Sequence, residues 1–185
     1  MRKFRLILCL CLLLALLSST AQPVPAFEAM PPPAGADFSP FLMTCTLQLP
    51  LETAELTDRF GWRFHPIDGQ LDFHYGLDLA SDEGGTIRAV LAGTVQTAGF
   101  HESYGNYIIL DHGNGFSTLY AHCSRLLVKE GKQVKAGQRI AKVGSTGAAT
   151  GPHLHFEIIR NGVRLDPLWI LGDGEELTSI PAPEE

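Results

Sequence analysis

From Thr86 to Leu165 the chain is broken into short β-branched and aromatic runs by glycine-containing turns, and this rhythm limits the folds open to it. The runs are Thr86–Val90, Gly93–Ala98, Tyr107–Asp111, Ser117–Ala121, Gln133–Val134, Ile140–Val143, His153–Ile159 and Val163–Leu165. Gly84-Gly85, Asp111–Gly115 and Gly144–Gly151 are among the breaks. Only Glu52–Thr57 and Ser124–Leu127 leave room for a turn or so of helix. Many short strands joined by tight turns predict an all-β fold, a compact antiparallel sheet, sandwich or barrel core.

The ends of the chain read differently. Met1–Arg5 is basic, Leu6–Leu17 is an unbroken apolar run, and Ser18–Ala21 supplies small residues for cleavage. The run falls short of the roughly 18 to 20 residues that span a bilayer. Residues 1–21 are therefore expected to be a signal peptide, the rival being an uncleaved membrane anchor. Residues 22–46 are a proline-rich lead-in or tether, since Pro23, Pro25 and Pro31–Pro33 exclude regular helix or central strand. The expected domain is 47–171, followed by a flexible acidic tail, 172–185. No internal repeat is present.

Charge narrows the function. The 185 residues carry 14 Lys and Arg against 20 Asp and Glu. Loss of the leader removes Arg2, Lys3 and Arg5 and makes the balance more acidic. A nucleic-acid partner, which needs a basic face, is not expected. Binding energy must come from a shaped site. Of the cysteines, Cys45 and Cys123 lie beyond the leader and either pair or stay as buried thiols, and no CxxC spacing suggests a cysteine zinc site.

The histidines are the most informative residues. His74 and Asp78 form an HxxxD spacing. In an extended strand that spacing spans ~13 Å, too far for one ion, so the segment must bend near His74, and Gly76 permits the bend. His153 and His155 are two apart on a strand and project from one face, with Cα atoms ~6.6 Å apart. Either both flank one ion, or one binds it while the other serves its water. His122 closes a strand. For His65, His101 and His112 a surface role in turns is the simpler reading, with cleft lining the alternative for His65. Glu157 shares the face of His155 and is either a support for the metal site from behind or a plain solvent-facing charge, the simpler reading. A hydrolytic zinc wants neutral imidazoles, a carboxylate and one position left for water. His74, Asp78 and one member of the 153/155 pair supply three such ligands. HExxH, GxSxG and P-loop motifs are all missing.

The ordered segments DRFGWRFHPIDGQLDFHYGLDLA, YGNYIILDHGNGFSTLYAH, VKAGQRIAKVGSTG and TGPHLHFEI resemble the lysostaphin-type (M23 family) metallopeptidases, which cut bacterial peptidoglycan. The resemblance spans about Leu56 to Pro167. It implies that His74, Asp78 and His155 hold one Zn²⁺, and that His122 and His153 are the non-ligand pair beside the metal-activated water. It also implies a small antiparallel β core with a groove over one sheet. The expected substrate is the peptide cross-link of peptidoglycan and the expected form a monomer. The expected place of action is outside the cytoplasm, at the cell wall, with membrane attachment only if the leader is retained. Two other classes are consistent with a small β domain. One is a non-catalytic wall-binding or hydrolase-activating domain, which needs no metal ligands. The other is a biotinyl- or lipoyl-carrier module, suggested by VKEGKQVKAGQRIAKVG, but no lysine stands on a hairpin tip.

Overall fold

The structure is a computed structural model that describes residues 30–39 and 47–171. The leader or anchor, Cys45 with the question of its pairing to Cys123, and the acidic tail lie outside the described residues.

Among the described residues the fold is nearly all β. The strands are β1 (Ala36–Asp37), β2 (Glu55–Asp58), β3 (Gly61–Phe64), β4 (Leu71–His74), β5 (Leu77–Ala80), β6 (Thr86–Arg88) and β7 (Gly93–His101). They continue as β8 (Gly105–Gly113), β9 (Phe116–Cys123), β10 (Arg125–Leu126), β11 (Gln133–Val134), β12 (Arg139–Lys142), β13 (His153–Arg160) and β14 (Val163–Leu165). The main sheet runs β1-β14-β13-β9-β8-β7-β11, with β5 also paired to β13 and β2 to β5. A three-stranded sheet, β10-β12-β6, and the hairpin β3-β4 complete the fold. Every pairing is antiparallel except β1 with β14. The all-β expectation holds.

Two expectations of helix do not. Glu55–Asp58, overlapping the first segment, is strand β2, and Arg125–Leu126, inside the second, is β10. Hydrogen bonding to β5 and β12 outweighs the helix leaning of Glu, Ala and Leu. The helical turn is instead Leu168–Leu171. Asp166 caps it through its carboxylate, which accepts the Leu168 N–H at 3.0 Å, and Pro167 opens it without needing a backbone donor.

Strand β13 shows how the core and the cleft share one element. Its period-two alternation sends Leu154, Phe156 and Ile158, all fully buried, into the core. His153, His155 and Glu157 face the other way and line a cavity. Behind the sheet, Ile87, Ile140 and Ala141 of the smaller sheet join the same buried cluster. Tyr120 stands in that core with its hydroxyl satisfied: it accepts the Val90 N–H at 3.0 Å and meets Thr118 Oγ1 at 3.1 Å.

Gly76 lies between β4 and β5, as the bend requires, yet its backbone lies outside the left-handed region. Close approach demands the glycine. A Cβ there would run into the carbonyl oxygen of Phe156 and sit 3.0 Å from His155 Cε1. The missing side chain lets β5 lie against β13.

Candidate metal centre

Each candidate ligand is delivered by a strand. His74 ends β4, opposite Gly61 of β3. The chain turns at Tyr75-Gly76 and brings Asp78 along β5 into direct register with His155 of β13. On its other side His155 pairs with Ala121 of β9, and the next residue, His122, completes the group.

The structure gathers His74, Asp78 and His155 into one triangle. His74 Nε2 lies 3.1 Å from Asp78 Oδ1, His155 Nδ1 lies 2.9 Å from the same oxygen, and the two nitrogens are 2.9 Å apart. Four ligands at 2.0–2.1 Å around a tetrahedral zinc stand about 3.3 Å from one another. The three atoms therefore sit close to the spacing of one tetrahedral face.

The protons on these rings decide what the triangle can hold. His74 Nδ1 is 2.8 Å from the Arg59 carbonyl, which only accepts, so Nδ1 carries the hydrogen and a neutral ring leaves its Nε2 lone pair on the triangle. His155 Nε2 is 3.1 Å from Glu157 Oε1, so that nitrogen is likewise the donor, and Nδ1 is the one turned inward. Two lone pairs and a carboxylate oxygen converge with no hydrogen between them. Such a set calls for a cation. A proton is the simplest one. Burial pushes His155 down, but the carboxylates of Asp78 and Glu157 overcome this and hold it up at about 9. Burial would raise Asp78, and its hydrogen bonds to His155 and His74 instead hold it well below the usual carboxylate range.

His122 and His153 stand beside the triangle, their ring centroids 4.6 Å apart. His122 is buried and adopts φ 60°, the left-handed region that a non-glycine residue seldom occupies. Its N–H donates to Tyr104 O and its Nδ1–H to Thr146 O, both at 2.8 Å. Burial, first among several effects, lowers its pKa to about 4, so the ring is neutral across the physiological range. His153 Nδ1–H donates to Gly151 O at 2.8 Å, and its Nε2 lies 3.7 Å from Asp78 Oδ1.

The cavity over the triangle measures about 520 Å³, and Arg63, His65, Asp72, His101, Ser103 and Thr150 are among the residues that wall it. A smaller hollow of about 190 Å³ shares Asp78, Thr150 and His153 with it and extends over Thr57, Ala80 and Pro152. His65 and His101 belong to the wall of the larger cavity, and His101 does so from the last position of β7, which corrects its turn reading. His112 is partly buried, bonded to Ala92 O at 2.9 Å and Thr118 Oγ1 at 2.8 Å, so its surface reading is corrected to a structural one.

The expectation for Glu157 also needs correction. It is completely buried, not solvent-facing. Tyr104, 53 residues earlier, and Arg164, seven residues on in β14, cover and bond it. Thr146 was invisible in the sequence, since it acts through its carbonyl.

With the geometry in view, comparison with known proteins gives a consistent result. Residues 72–167 match the model of Peptidase family M23. The chain is 39% identical over 122 residues to the peptidoglycan DD-endopeptidase ShyC of Vibrio cholerae, an alignment covering 65% of this chain and 28% of that protein. A zinc containing peptidase from Vibrio cholerae superposes with a TM-score of 0.58 at 34% identity, covering 65% of this chain and 39% of that one. The catalytic domain of lysostaphin from Staphylococcus simulans gives 0.59 at 34% identity, covering 65% of this chain and 93% of the domain. The chain spans less than a third of the curated relatives first matched, 28% and 30% of their lengths.

Proposed function

This chain belongs to peptidase family M23, and from that premise we propose that it is an exported zinc endopeptidase hydrolysing the peptide cross-links of bacterial peptidoglycan. The triangle of His74 Nε2, Asp78 Oδ1 and His155 Nδ1 is the observation that carries the proposal. These three residues would hold one Zn²⁺, and the bound ion would supply a Lewis acid that activates water and polarises the scissile carbonyl.

The chain's own residues account for the rest. His122 and His153 have each given their Nδ1–H to a backbone carbonyl, so each neutral ring presents Nε2 toward the cleft. His122 or His153 takes a proton from the attacking water, and the pair returns one to the departing amine. The ring that takes that proton becomes a donor at Nε2 beside the developing oxyanion, a role worth on the order of 10² to 10³ in rate. Cross-link peptides would lie along the cleft formed by the two hollows. Export through the 1–21 leader, with 22–46 as tether and 47–171 as the working domain, suits a polymer that lies outside the cytoplasm.

A non-catalytic wall-binding or activating domain would have no use for three acceptor atoms gathered at 2.9–3.1 Å, nor for two further imidazoles tied in the same sense. The test is to incubate purified wall with the protein, with and without chelator, and to identify new amine ends by mass spectrometry. His74→Ala is expected to lose zinc and activity together. His122→Ala is expected to keep zinc and lose turnover by roughly 10² or more. Full activity in His122→Ala refutes the role given to that residue, and chelator-resistant cleavage refutes the metal.

A further inference from the structure

Four imidazoles surround the centre, and the outward nitrogen of each is tied down. For His74, His122 and His153 the anchor is a main-chain carbonyl, of Arg59, Thr146 and Gly151. His155 differs, because its Nε2 meets the carboxylate of Glu157. We infer that Glu157 is the positioning residue that fixes which nitrogen of His155 faces the metal, and that Arg164 and Tyr104 hold it in place as a carboxylate. The inference rests on the reading of His155 as a ligand.

The argument begins with cost. Glu157 has no exposure to water, and an ionised carboxylate there is expensive unless its lone pairs are met. They are met by three donors. Oε1 receives Tyr104 O–H at 2.6 Å and His155 Nε2–H at 3.1 Å, and Oε2 receives Arg164 Nε–H at 2.7 Å.

Arg164 is itself well fixed. Its backbone lies in β14, which pairs antiparallel with β13 and parallel with β1, and its N–H donates to Gly35 O at 2.7 Å. The guanidinium also sits 5.0 Å from the centre of the Tyr75 ring, next to His74 in the chain. The countercharge is thus held on the strand next to β13, which presents His155.

Direction follows from the strand. Residues 155 and 157 share a face of β13, so an imidazole standing on that face reaches its successor's carboxylate with Nε2 and turns Nδ1 back toward Asp78. A carboxylate partner keeps the hydrogen on Nε2 and makes Nδ1 the electron-rich donor. A neutral partner leaves the other tautomer accessible, with a hydrogen pointing into the triangle.

The test uses the whole protein and Zn²⁺ itself as the probe. Glu157→Gln keeps the shape and removes the charge. Its zinc affinity, read by competition with a chromophoric chelator, is expected to fall ~10- to 100-fold. In the zinc-loaded wild type, ¹⁵N–¹H spectra of the histidine side chains should place the hydrogen of His155 on Nε2. A purely structural Glu157 would lower the melting temperature of the metal-free protein and leave zinc affinity unchanged, and that result overturns the inference. If Glu157→Gln does not fold, Tyr104→Phe and Arg164→Gln decide. Each keeps the carboxylate but removes one of its holders, and each should weaken zinc binding by ~3-fold or more. Wild-type affinity in both overturns the proposal. Absence of zinc binding by the wild type would instead sink the metal centre, so the two failures can be told apart.

Discussion

Replacing Gly76 by alanine should uncouple the two strands that carry Asp78 and His155. The added methyl would collide with the Phe156 carbonyl oxygen and lie 3.0 Å from both Phe156 C and His155 Cε1. None of these atoms is the free end of a flexible side chain. Restoring relaxed separations of ~3.5 Å requires β5 to move away from β13 by roughly 0.5–1 Å. Overpacking of that kind costs about 1–3 kcal/mol, and for a domain of this size each kcal/mol lowers Tm by roughly 3–6 °C. A loss of roughly 3–18 °C in the metal-free protein is therefore expected. The same displacement draws Asp78 Oδ1 from its 2.9 Å spacing to His155 Nδ1, whereas ligand bonds tolerate only about 0.2 Å. Zinc should accordingly raise the variant's Tm by less than it raises that of the wild type. Thermal unfolding followed by circular dichroism, with and without zinc, measures both effects. Gly99→Ala is the control, because nothing lies within 4 Å of a Cβ there and its backbone is not left-handed. Wild-type Tm and wild-type zinc response in Gly76→Ala would refute the close-approach argument.

Two other outcomes follow from residues already described. Tyr120→Phe removes the oxygen that accepts the buried Val90 N–H, and leaving that donor unmet should cost about 1–3 kcal/mol, measured by urea unfolding. Apparent zinc affinity should depend on pH with a definite sign: metal-free His155 keeps its extra proton up to about 9, and zinc must displace it, so affinity rises with pH by about tenfold per unit below that value. A pH-independent affinity between pH 6 and 8 would show that no proton leaves on binding.

The β character of the domain was legible because alternation and glycine breaks are local signals. Thus Gln133–Val134 and Val163–Leu165 appear with the limits expected of them. Strand β2 was not legible: Glu55–Asp58 carries charged side chains at the sheet edge, and only its pairing with β5 makes it a strand. Spacing alone placed His153 and His155 on one face, and it required a bend between His74 and Asp78. It did not choose between the two histidines of the pair, because that choice depends on which one lies opposite Asp78 across the sheet. The burial of Glu157 was hidden for a similar reason, since Tyr104 arrives from a loop 53 residues earlier in the chain.

Three of the four rings around the centre are tied to peptide carbonyls, and a point mutation exchanges a side chain but leaves the peptide in place. Residues 59, 146 and 151 can therefore drift in identity over evolutionary time without untying those rings, as long as the main-chain path persists. A lineage that abandons the chemistry must then lose the imidazoles or the aspartate outright, bend the backbone, or change Glu157. Among these four ring anchors, only the Glu157 carboxylate that meets His155 belongs to a side chain, and a single codon can erase it.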